Sequence, residues 1–342
     1  MNVSYLFAFV AVVVLILLAW AGVGALGMTG VFGILVPYAA MLLFVVGFAR
    51  KILDWSNSYV PFRIPTTCGQ QKSLPWIRQN KIDNPNTTGG VIVRMLLEIL
   101  LFRSLFRNTK AKFKDNHRLS YRWEIVLWVA ALAFHYAFAV TLLRHLRFFF
   151  EPVPMVIQLL ESADAFFRVE FFSPYFVIGL PGVYASGLVL LGALLVLLGR
   201  RIFLSQVRYI SLAADFFPLF LIIGIAASGI LMRYFAKVDI TAIKTFAMGL
   251  VTFKPVPPDG VGALFYVHLF LVSVLTAYFP FSKLMHAGGV FLSPTRNMAN
   301  NNRAVRHVNP WNYSVHTHTY DEYEEEFREK MIEAGLPVEK EQ

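Results

Sequence analysis

Six apolar runs of membrane-crossing length constrain this sequence more than any other feature. A helix needs roughly 17–25 apolar residues to cross the hydrocarbon core of a bilayer, and each run has about that length. Only 15% of the residues are charged and 57% are hydrophobic, whereas soluble domains are typically about 25% charged. The sequence therefore predicts an all-α integral membrane protein with six transmembrane helices. The runs are approximately Tyr5–Leu26, Val31–Ala49, Trp123–Phe150, Tyr175–Leu198, Leu212–Met232 and Val261–Met285.

The distribution of basic residues sets the expected orientation of these helices. Six crossings place both termini on one side of the membrane, together with the long loop 50–122. Segments on that side hold 24 of the 31 lysines and arginines, and the positive-inside rule assigns such segments to the cytoplasm. The prediction is a multi-pass protein of the cell (cytoplasmic) membrane with both termini cytoplasmic. The same rule explains the net charge of +10 better than nucleic-acid binding does.

Changes in polarity divide the chain into four expected parts. No lysine or arginine precedes Arg50, so the first run lacks the charged region of a signal peptide and is expected to remain as a span. Residues 1–49 are expected to form two N-terminal transmembrane helices and 50–122 a cytoplasmic basic loop. Residues 123–286 are expected to form a four-helix core (spans three to six), and 287–342 a cytoplasmic tail that docks a partner.

One apolar stretch of the basic loop imitates a transmembrane helix. Val91–Phe106 is apolar enough to be mistaken for a span, but it carries several charges, among them Arg94 and Glu98. Such a charge costs roughly 2.5–3.5 kcal/mol near the bilayer centre, so we interpret the stretch as an interfacial helix. Residues 153–175 and 235–261 are expected to lie along the opposite surface.

The polar tail is expected to contain one soluble helix. Thr319 and Glu322 have the spacing of a capping box, and Gly335 followed by Pro337 is a helix stop. An apolar stripe runs along this acidic helix, which suits either plain solvation or docking onto a basic cytoplasmic partner. Its members, spaced four residues apart, are Tyr323, Phe327 and Met331.

Four histidines lie within or at the ends of two of the apolar runs. His135 and His145 occupy the third run, while His268 lies in the sixth and His286 directly follows it. An imidazole inside a membrane segment is costly unless something binds it. A single such histidine is most often a packing residue, but two on each of two helices form a pattern. Four imidazoles supply two bis-histidine axial sites, which is the ligation of a pair of b-type haems.

The expected topology pairs these ligands. The third helix runs outward and the sixth runs inward, so His145 pairs with His268 for an outer haem and His135 with His286 for an inner haem. Ten helical residues rise about 15 Å and eighteen rise about 27 Å, so the two spacings do not match. Tilt of the third helix and a kink at Pro280 are expected to absorb part of the difference. The other interpretation of His286 is an ordinary interfacial histidine.

The remaining histidines and the single cysteine give weaker signals. His117, His307, His316 and His318 lie in polar segments and are expected to be solvated. The pair His316–His318 is not expected to bind metal, because no carboxylate stands near it at helical spacing. The single Cys68 excludes an intramolecular disulfide and a cysteine-ligated iron–sulfur cluster within this chain. Cys68 is either a packed loop residue or a redox thiol.

Several motifs resemble known families. The ten-spaced pair His135/His145 and the segment Val267–His286 are similar to the γ-subunit of respiratory nitrate reductase, a dihaem cytochrome b. Three further motifs resemble the DsrM family, the membrane cytochrome b subunits of Dsr complexes, also called Hdr-like menaquinol-oxidising complexes, in sulfate reducers. They are Pro61–Trp76 (PFRIPTTCGQQKSLPW), Phe102–Asn108 (FRSLFRN) and Phe291–Asn297 (FLSPTRN).

This resemblance implies a function. It makes residues 123–286 a nitrate reductase gamma-like dihaem cytochrome b domain that oxidises menaquinol to menaquinone and carries two haem b groups. The electrons would pass to a cytoplasmic iron–sulfur subunit related to heterodisulfide reductase, within a complex that has other membrane and extracytoplasmic redox subunits. The process implied is sulfate or sulfite respiration.

The resemblance does not place the quinol. The γ-subunit of nitrate reductase has a lysine near its outer quinol site, and no lysine of this sequence matches it. Each nearby charged residue is also explained as an interface anchor, so no catalytic residue is assigned. The basic candidates are Arg144, Arg147 and Arg168, and the candidate proton acceptors are Glu151, Asp164 and Glu170.

Two other functions stay open. The first is a haem-free transporter or scaffold subunit whose histidines form a proton relay, although the sequence lacks the internal repeat and the matched broken helices of many transporters. The second is the same electron conduit run in reverse, as a quinone reductase fed from the cytoplasm.

Overall fold

Six membrane-length helices dominate the fold. The computed structural model describes residues 3–58, 60, 63–64, 69–113, 119–166, 169–172, 177–180, 183–258, 260–305 and 316–339. Within these residues, six helices are long and apolar enough to cross a membrane. The predicted fold class, an all-α multi-pass membrane protein, is thereby confirmed. The six spans are Ser4–Gly24, Val31–Ser56, Ile125–Phe148, Ala185–Phe203, Ala213–Ala236 and Ala263–Phe281.

The α-helices of the described residues are numbered in chain order. The first seven are α1 (Ser4–Gly24), α2 (Val36–Ser56), α3 (Thr88–Leu101), α4 (Arg103–Phe106), α5 (Ile125–His145), α6 (Met155–Asp164) and α7 (Ala185–Phe203). The others are α8 (Ser205–Ile210), α9 (Ala213–Leu231), α10 (Ile240–Val251), α11 (Ala263–Tyr278), α12 (His286–Leu292) and α13 (Tyr320–Glu333). Short π-helical or 3-10 turns extend the spans at Val31–Leu35, Leu146–Phe148, Met232–Ala236 and Phe279–Phe281.

Small antiparallel strand pairs stand between some of the helices, and the sequence analysis predicted none of them. β1 (Thr109–Phe113) pairs with β2 (Leu119–Trp123) directly before α5. Between α6 and α7, β3 (Ala165–Phe166) pairs with β6 (Val183–Tyr184), and β4 (Val169–Phe172) pairs with β5 (Val177–Leu180). Among its described residues, the surface stretch expected at 153–175 is therefore helical only over α6.

The fourth span begins later than predicted. We expected Tyr175–Leu198, but α7 covers Ala185–Phe203. Among the described residues before α7, Val177–Leu180 form β5 and Val183–Tyr184 form β6 instead of helix. Hydropathy alone does not separate an apolar strand from the first turns of an apolar helix.

The core lies where α9 joins two groups of helices. One group, α1, α2, α9, α10 and α11, packs around Phe246, Tyr266 and Leu271, which are all buried. The other group joins α5, α7 and α9 through Leu194 and Ile222. The expected surface return at 235–261 therefore includes a helix, α10, that contributes to the core. α5 packs extensively on α7 but not on α11.

The stretch interpreted as an interfacial helix is observed as α3 and α4. Thr87 caps α3 by accepting a hydrogen bond from the amide of Gly90 at 3.3 Å. Phe102 separates the two helices in a left-handed conformation, with φ of 49° and ψ of 48°. Such a conformation is uncommon for a residue other than glycine, and here it reverses the chain so that α4 packs beside α5.

The charges of this stretch are satisfied by the protein. Asp83 is buried and its carboxylate pairs with Arg103, at 2.9 Å from Nε, and with Arg107. Its carbonyl oxygen accepts a hydrogen bond from Arg94. The carboxylate of Glu98 accepts from the amide of Ser104 at 3.1 Å. Arg94, Glu98 and Arg103, whose charges make a transmembrane span unfavourable, instead form hydrogen bonds and ion pairs within the basic loop.

The sixth span ends in two tight turns. α11 stops at Tyr278, a 3-10 turn carries Pro280, a second turn covers Lys283–Met285, and α12 begins at His286. Proline has no amide hydrogen and cannot continue the helix. The segment from His268 to His286 is therefore not one continuous α-helix, and the eighteen-residue α-helical rise estimated from sequence does not apply to it.

The tail helix follows its sequence signals. The side chain of Thr319 accepts from the amide of Glu322, and the side chain of Glu322 accepts from the amide of Thr319 at 2.9 Å, which confirms the capping box. Gly335 has a φ of 68° directly after the helix, which confirms the stop. On the predicted stripe Met331 is buried, while Tyr323 is 44% exposed.

Candidate haem-binding sites

His135 and His286 approach each other toward the side of the bundle that carries the basic loop, here termed the loop side. His135 lies midway along α5, and His286 is the first residue of α12. Their ring centroids are 5.9 Å apart and the ring planes are inclined at 82°. The rings of Phe102 and Phe134 both pack edge-on against His135, with centroid distances of 4.8 Å. The pair thus lies in an aromatic environment beneath the α3–α4 junction.

His145 and His268 approach each other toward the opposite side of the bundle. His145 is the last residue of α5, and His268 lies in the second turn of α11. Their ring centroids are 6.3 Å apart and the planes are inclined at 14°. A Cβ atom added to Gly229 of α9 would lie 3.3 Å from Cε1 of His268. The absence of a side chain at Gly229 therefore makes room for this imidazole.

All four rings have Nδ1 engaged in a hydrogen bond. Three of these bonds go to backbone carbonyl oxygens, which only accept, so Nδ1 carries the proton and the lone pair is on Nε2. Metal-bound histidines commonly fix ring orientation and tautomer through such a bond. Nε2 is then the nitrogen available to a metal. The bonds are His135 to Ala131 O (2.7 Å), His145 to Thr141 O (2.6 Å), His286 to Lys283 O (2.7 Å) and His268 with Ser228 Oγ (2.9 Å).

The spacing of the rings fits an iron atom between them. Two metal–nitrogen bonds of about 2 Å would place two Nε2 atoms about 4 Å apart and the two ring centres about 6 Å apart. The observed centroid distances are 5.9 Å and 6.3 Å. Because α5 and α11 make no extensive contact, the side chains, and not the backbones, bring the pairs together. The residues present therefore fit a haem at each pair.

A bis-histidine haem site asks for only two protein ligands, since the porphyrin supplies the other four. In the described part of the chain, no three histidine, cysteine, aspartate or glutamate side chains form a group that could hold a metal ion. The two histidine pairs are thus the candidates for metal chemistry that the geometry offers. Ligation by the four histidines stays a prediction.

Comparison with known proteins gives the family. Residues 92–307 match the nitrate reductase gamma subunit family, a range that covers more than half of the chain and contains all four paired histidines. The chain belongs to this family.

Two relatives from archaea extend the match to most of the chain. This gamma-family chain is 47% identical over 288 residues to a protein of Archaeoglobus fulgidus, covering 82% of this chain and 83% of the relative. It is 42% identical over 282 residues to a protein of Archaeoglobus profundus, covering 80% and 81%. Both relatives are named Hdr-like menaquinol oxidoreductase cytochrome b-like subunit. The chain is accordingly a member of a family of membrane cytochrome b-like oxidoreductase subunits.

A polar cluster lies next to the His145–His268 pair of this gamma-family bundle. Arg144 pairs with Asp164, with 3.0 Å between Nε and Oδ2. The same carboxylate accepts hydrogen bonds from Ser186, at 2.8 Å from the amide and 2.6 Å from the hydroxyl. These contacts tie the end of α5 to α6 and to the start of α7.

A second carboxylate, Glu161 of α6, adjoins this group. It pairs with Arg147 and accepts a hydrogen bond from the hydroxyl of Tyr184. The guanidinium carbons of Arg144 and Arg233 lie over the Tyr184 ring, 3.5 Å and 4.0 Å from its centroid. Burial, and then the bond to Glu161, raise the pKa of the Tyr184 hydroxyl above its ordinary value. The Tyr184 hydroxyl therefore keeps its proton and donates it in the hydrogen bond to Glu161.

Sequence reasoning named only part of this cluster. Arg144, Arg147 and Asp164 were candidates, but Glu161, Tyr184 and Arg233 were missed. A usable signal existed: polar residues stand where α5 ends, α7 begins and α9 ends, and these three ends share one side of the membrane. Of the other candidates, Glu151 is exposed and pairs with Lys244; Arg168 and the side chain of Glu170 lie outside the described residues, as do Cys68, His117 and His307.

The surroundings of His316 and His318 differ from expectation. The two rings are 5.1 Å apart, and they line a small cleft together with Glu322, Glu325 and Glu326. Carboxylates do stand nearby, because the start of α13 folds its acidic face toward the preceding residues. Nδ1 of His318 lies 3.9 Å from Oε2 of Glu326.

Proposed function

We propose that this chain is a dihaem cytochrome b subunit of the DsrM type. It oxidises menaquinol and passes the electrons across the cell membrane to a cytoplasmic iron–sulfur subunit related to heterodisulfide reductase. The observation that carries the proposal is the pair of histidine pairs, spaced about 6 Å between ring centres, with all four Nδ1 atoms engaged. The names of the two Archaeoglobus relatives support the menaquinol and the Hdr-like complex.

The geometry suits transfer of electrons along one helix. His135 and His145 are ten residues apart on α5, which separates the two sites by about 15 Å along the helix axis. When bound, haem b supplies a one-electron ferric/ferrous couple at each pair. The four imidazoles would hold these haems, their Nδ1 hydrogen bonds fix the tautomers, and phenylalanine rings pack against His135 of the loop-side pair.

The distribution of basic residues supports an orientation for this electron path. The loop side carries most of the basic residues, so we assign it and both termini to the cytoplasm. Menaquinol would then be oxidised near the outer pair, His145–His268, and a haem held by the inner pair, His135–His286, would supply the one-electron couple at the cytoplasmic end. Moving one charge across the membrane is worth about 2.3 kcal/mol per 100 mV, so this direction decides whether the complex conserves energy.

The single cysteine of the chain supports an iron–sulfur partner subunit. With a single cysteine, the chain provides no ligand set for an iron–sulfur cluster, so the clusters belong to the cytoplasmic subunit. The basic loop and the tail helix α13 are the proposed docking segments for that subunit, with other membrane and extracytoplasmic redox subunits completing the complex. The physiological role proposed is sulfate or sulfite respiration.

A reduced-minus-oxidised optical spectrum of the purified subunit, with a pyridine haemochrome assay, tests the dihaem assignment. We expect two b haems per chain, and one after His268→Ala or His145→Ala, because each removes a ligand of one pair only. His318→Ala, a histidine outside both pairs, should leave two. Loss of both haems or of neither in the single variants contradicts the pairing, and no haem in the unaltered chain returns the protein to the transporter or scaffold class.

A further inference from the structure

A cleft opens on the side of the bundle opposite the loop, beside the outer histidine pair. Its volume is about 680 Å³, within the range of roughly 300–1,000 Å³ that is usual for small-molecule sites. Arg147 lies in the 3-10 turn after α5, two residues beyond His145. Arg233 lies five residues beyond Ser228, whose hydroxyl bonds His268. The lining includes Arg147, Glu151, Gln158, Glu161, Tyr184 and Arg233.

Glu161 offers a free carboxylate oxygen to this cleft. Arg147 and Tyr184 both bind Oε1 of Glu161. Within the described residues, Oε2 has no hydrogen-bond partner, although a carboxylate can accept about four hydrogen bonds. The Glu161 side chain is 24% exposed, so this oxygen is within reach of water at the mouth of the cleft.

The neighbouring groups hold the carboxylate in place. Tyr184 is 8% exposed, and its ring lies beneath the guanidinium groups of Arg144 and Arg233. The backbone amide of Tyr184 is also held in place, because it donates a hydrogen bond to the hydroxyl of Tyr234 at 2.8 Å. The buried Nε of Arg233 has no hydrogen-bond partner in the part of the chain that is described. The cleft thus combines a fixed acceptor with cationic groups that favour an oxygen losing its proton.

We propose that Glu161 is the proton acceptor for oxidation of a hydroquinone bound in this cleft, and that Tyr184 is the positioning residue that holds its carboxylate. This inference rests on the proposed function. The O–H bond of a hydroquinone hydroxyl breaks and an O–H bond to Oε2 of Glu161 forms; Glu161 then passes the proton to external water and serves the second hydroxyl. Loss of two protons and two electrons gives the quinone, and the electrons are accepted one at a time by ferric haem b, so that two ferric haems are reduced for each hydroquinone oxidised.

The test compares Glu161→Gln with Glu124→Gln in the haem-loaded subunit. Glu124 is a matched control, because it is also half-buried and paired with an arginine, Arg200, at 3.2 Å, but on the loop side. Menadiol serves as the electron donor, haem reduction is followed optically, and dithionite measures the total reducible haem. Binding of 2-heptyl-4-hydroxyquinoline N-oxide, a fluorescent quinol analogue, is followed by fluorescence quenching.

We expect Glu161→Gln to bind the analogue within about twofold of the unaltered protein while reduction by menadiol slows by roughly 100-fold or more, the usual loss for a general base. Glu124→Gln should change neither. Reduction of Glu161→Gln at the unaltered rate overturns the inference. A failure of menadiol to reduce the unaltered protein, when dithionite does reduce it, contradicts the proposed function instead.

A second variant covers the case in which Glu161→Gln does not assemble. Tyr184→Phe keeps the ring beneath the two arginines and the carboxylate, and removes only the hydroxyl bond. We expect haem content and analogue binding to stay unchanged and menadiol reduction to slow several-fold. An unchanged rate of haem reduction in Tyr184→Phe contradicts the positioning role. If Glu161→Gln also gives no reduced rate, the inference is overturned.

Discussion

At the residue scale, one hydrogen bond per imidazole bears on which ring nitrogen carries the proton and which keeps its lone pair. For His135, His145 and His286 the acceptor is a backbone carbonyl of the same turn or the turn before. For His268 it is the hydroxyl of Ser228 on another helix. A substitution at Ser228 therefore changes the hydrogen bonding of an imidazole without replacing the histidine itself.

Replacing Ser228 by alanine should weaken the binding of the outer haem. The variant removes the partner of Nδ1 and frees the ring of His268, and loss of such an outer partner typically costs roughly 10–100-fold in metal affinity. Haem titration into the apoprotein, followed at the Soret band, measures the change. Ser273→Ala is the matched control, because Ser273 is also buried and, among the residues that the structure describes, its hydroxyl bonds only the carbonyl of Leu269 in its own helix. Equal losses in the two variants would contradict the role of Ser228.

At the element scale, the break after α11 positions His286. Pro280 sits in the first tight turn, and the Nζ of Lys283 pairs with Asp215 of α9 at 2.6 Å. The turn also packs against α2, where a Cβ atom added to Gly47 would lie 2.9 Å from Cβ of Pro280. Neither the pyrrolidine ring nor the helix backbone moves cheaply, so Gly47 sets how closely this turn approaches α2.

Gly47→Ala should disturb the inner site and spare the outer one. The added methyl group overpacks the α2–turn contact, at a cost of about 1–3 kcal/mol, and displaces the turn that carries His286. We expect a lower melting temperature in detergent and a smaller inner-haem signal in the optical spectrum. Gly24→Ala, at a helical glycine with nothing within 4 Å of an added Cβ, should leave both haems unchanged. An undisturbed inner haem in Gly47→Ala would show that the turn tolerates displacement.

The α3–α4 segment is the second element that shapes the inner site. The indole of Trp128 donates to the carbonyl of Leu101 at 2.7 Å, and the hydroxyl of Tyr136 donates to the carbonyl of Leu100 at 3.0 Å. These bonds cap the end of α3 on the face of α5 that carries His135. Through the left-handed turn at Phe102, the segment covers one flank of the inner pair with an aromatic ring.

At the scale of the whole molecule, the proposed orientation predicts which surface is reached from outside the cell. In a Cys68→Ser background, Val256→Cys lies between α10 and α11 and Trp76→Cys lies in the basic loop; the native side chains are 74% and 77% exposed. A membrane-impermeant maleimide should label Val256→Cys in intact spheroplasts and Trp76→Cys only after permeabilisation. The reverse labelling pattern would invert the orientation and move quinol oxidation to the other face.

The sequence by itself determined the number of spans, the fold class and the four histidines that form two pairs. Apolar runs and charges are local properties, and a membrane makes them decisive because every span must satisfy its backbone internally. The capping box at Thr319 and the stop at Gly335 are local for the same reason. The ends of the spans were less certain, since the apolar residues before Ala185 suit a strand and a helix equally well.

Only the tertiary structure decided how the pairs close and what surrounds them. The proline turn breaks the helix before His286, and the ring of His286 lies beside that of His135. An estimate from the α-helical rise per residue does not include such a break. Glu161, Tyr184 and Arg233 meet because α6, the start of α7 and the end of α9 share one side of the bundle. Contacts between residues far apart in sequence depend on helix packing and turn geometry, and no single stretch of the chain encodes them.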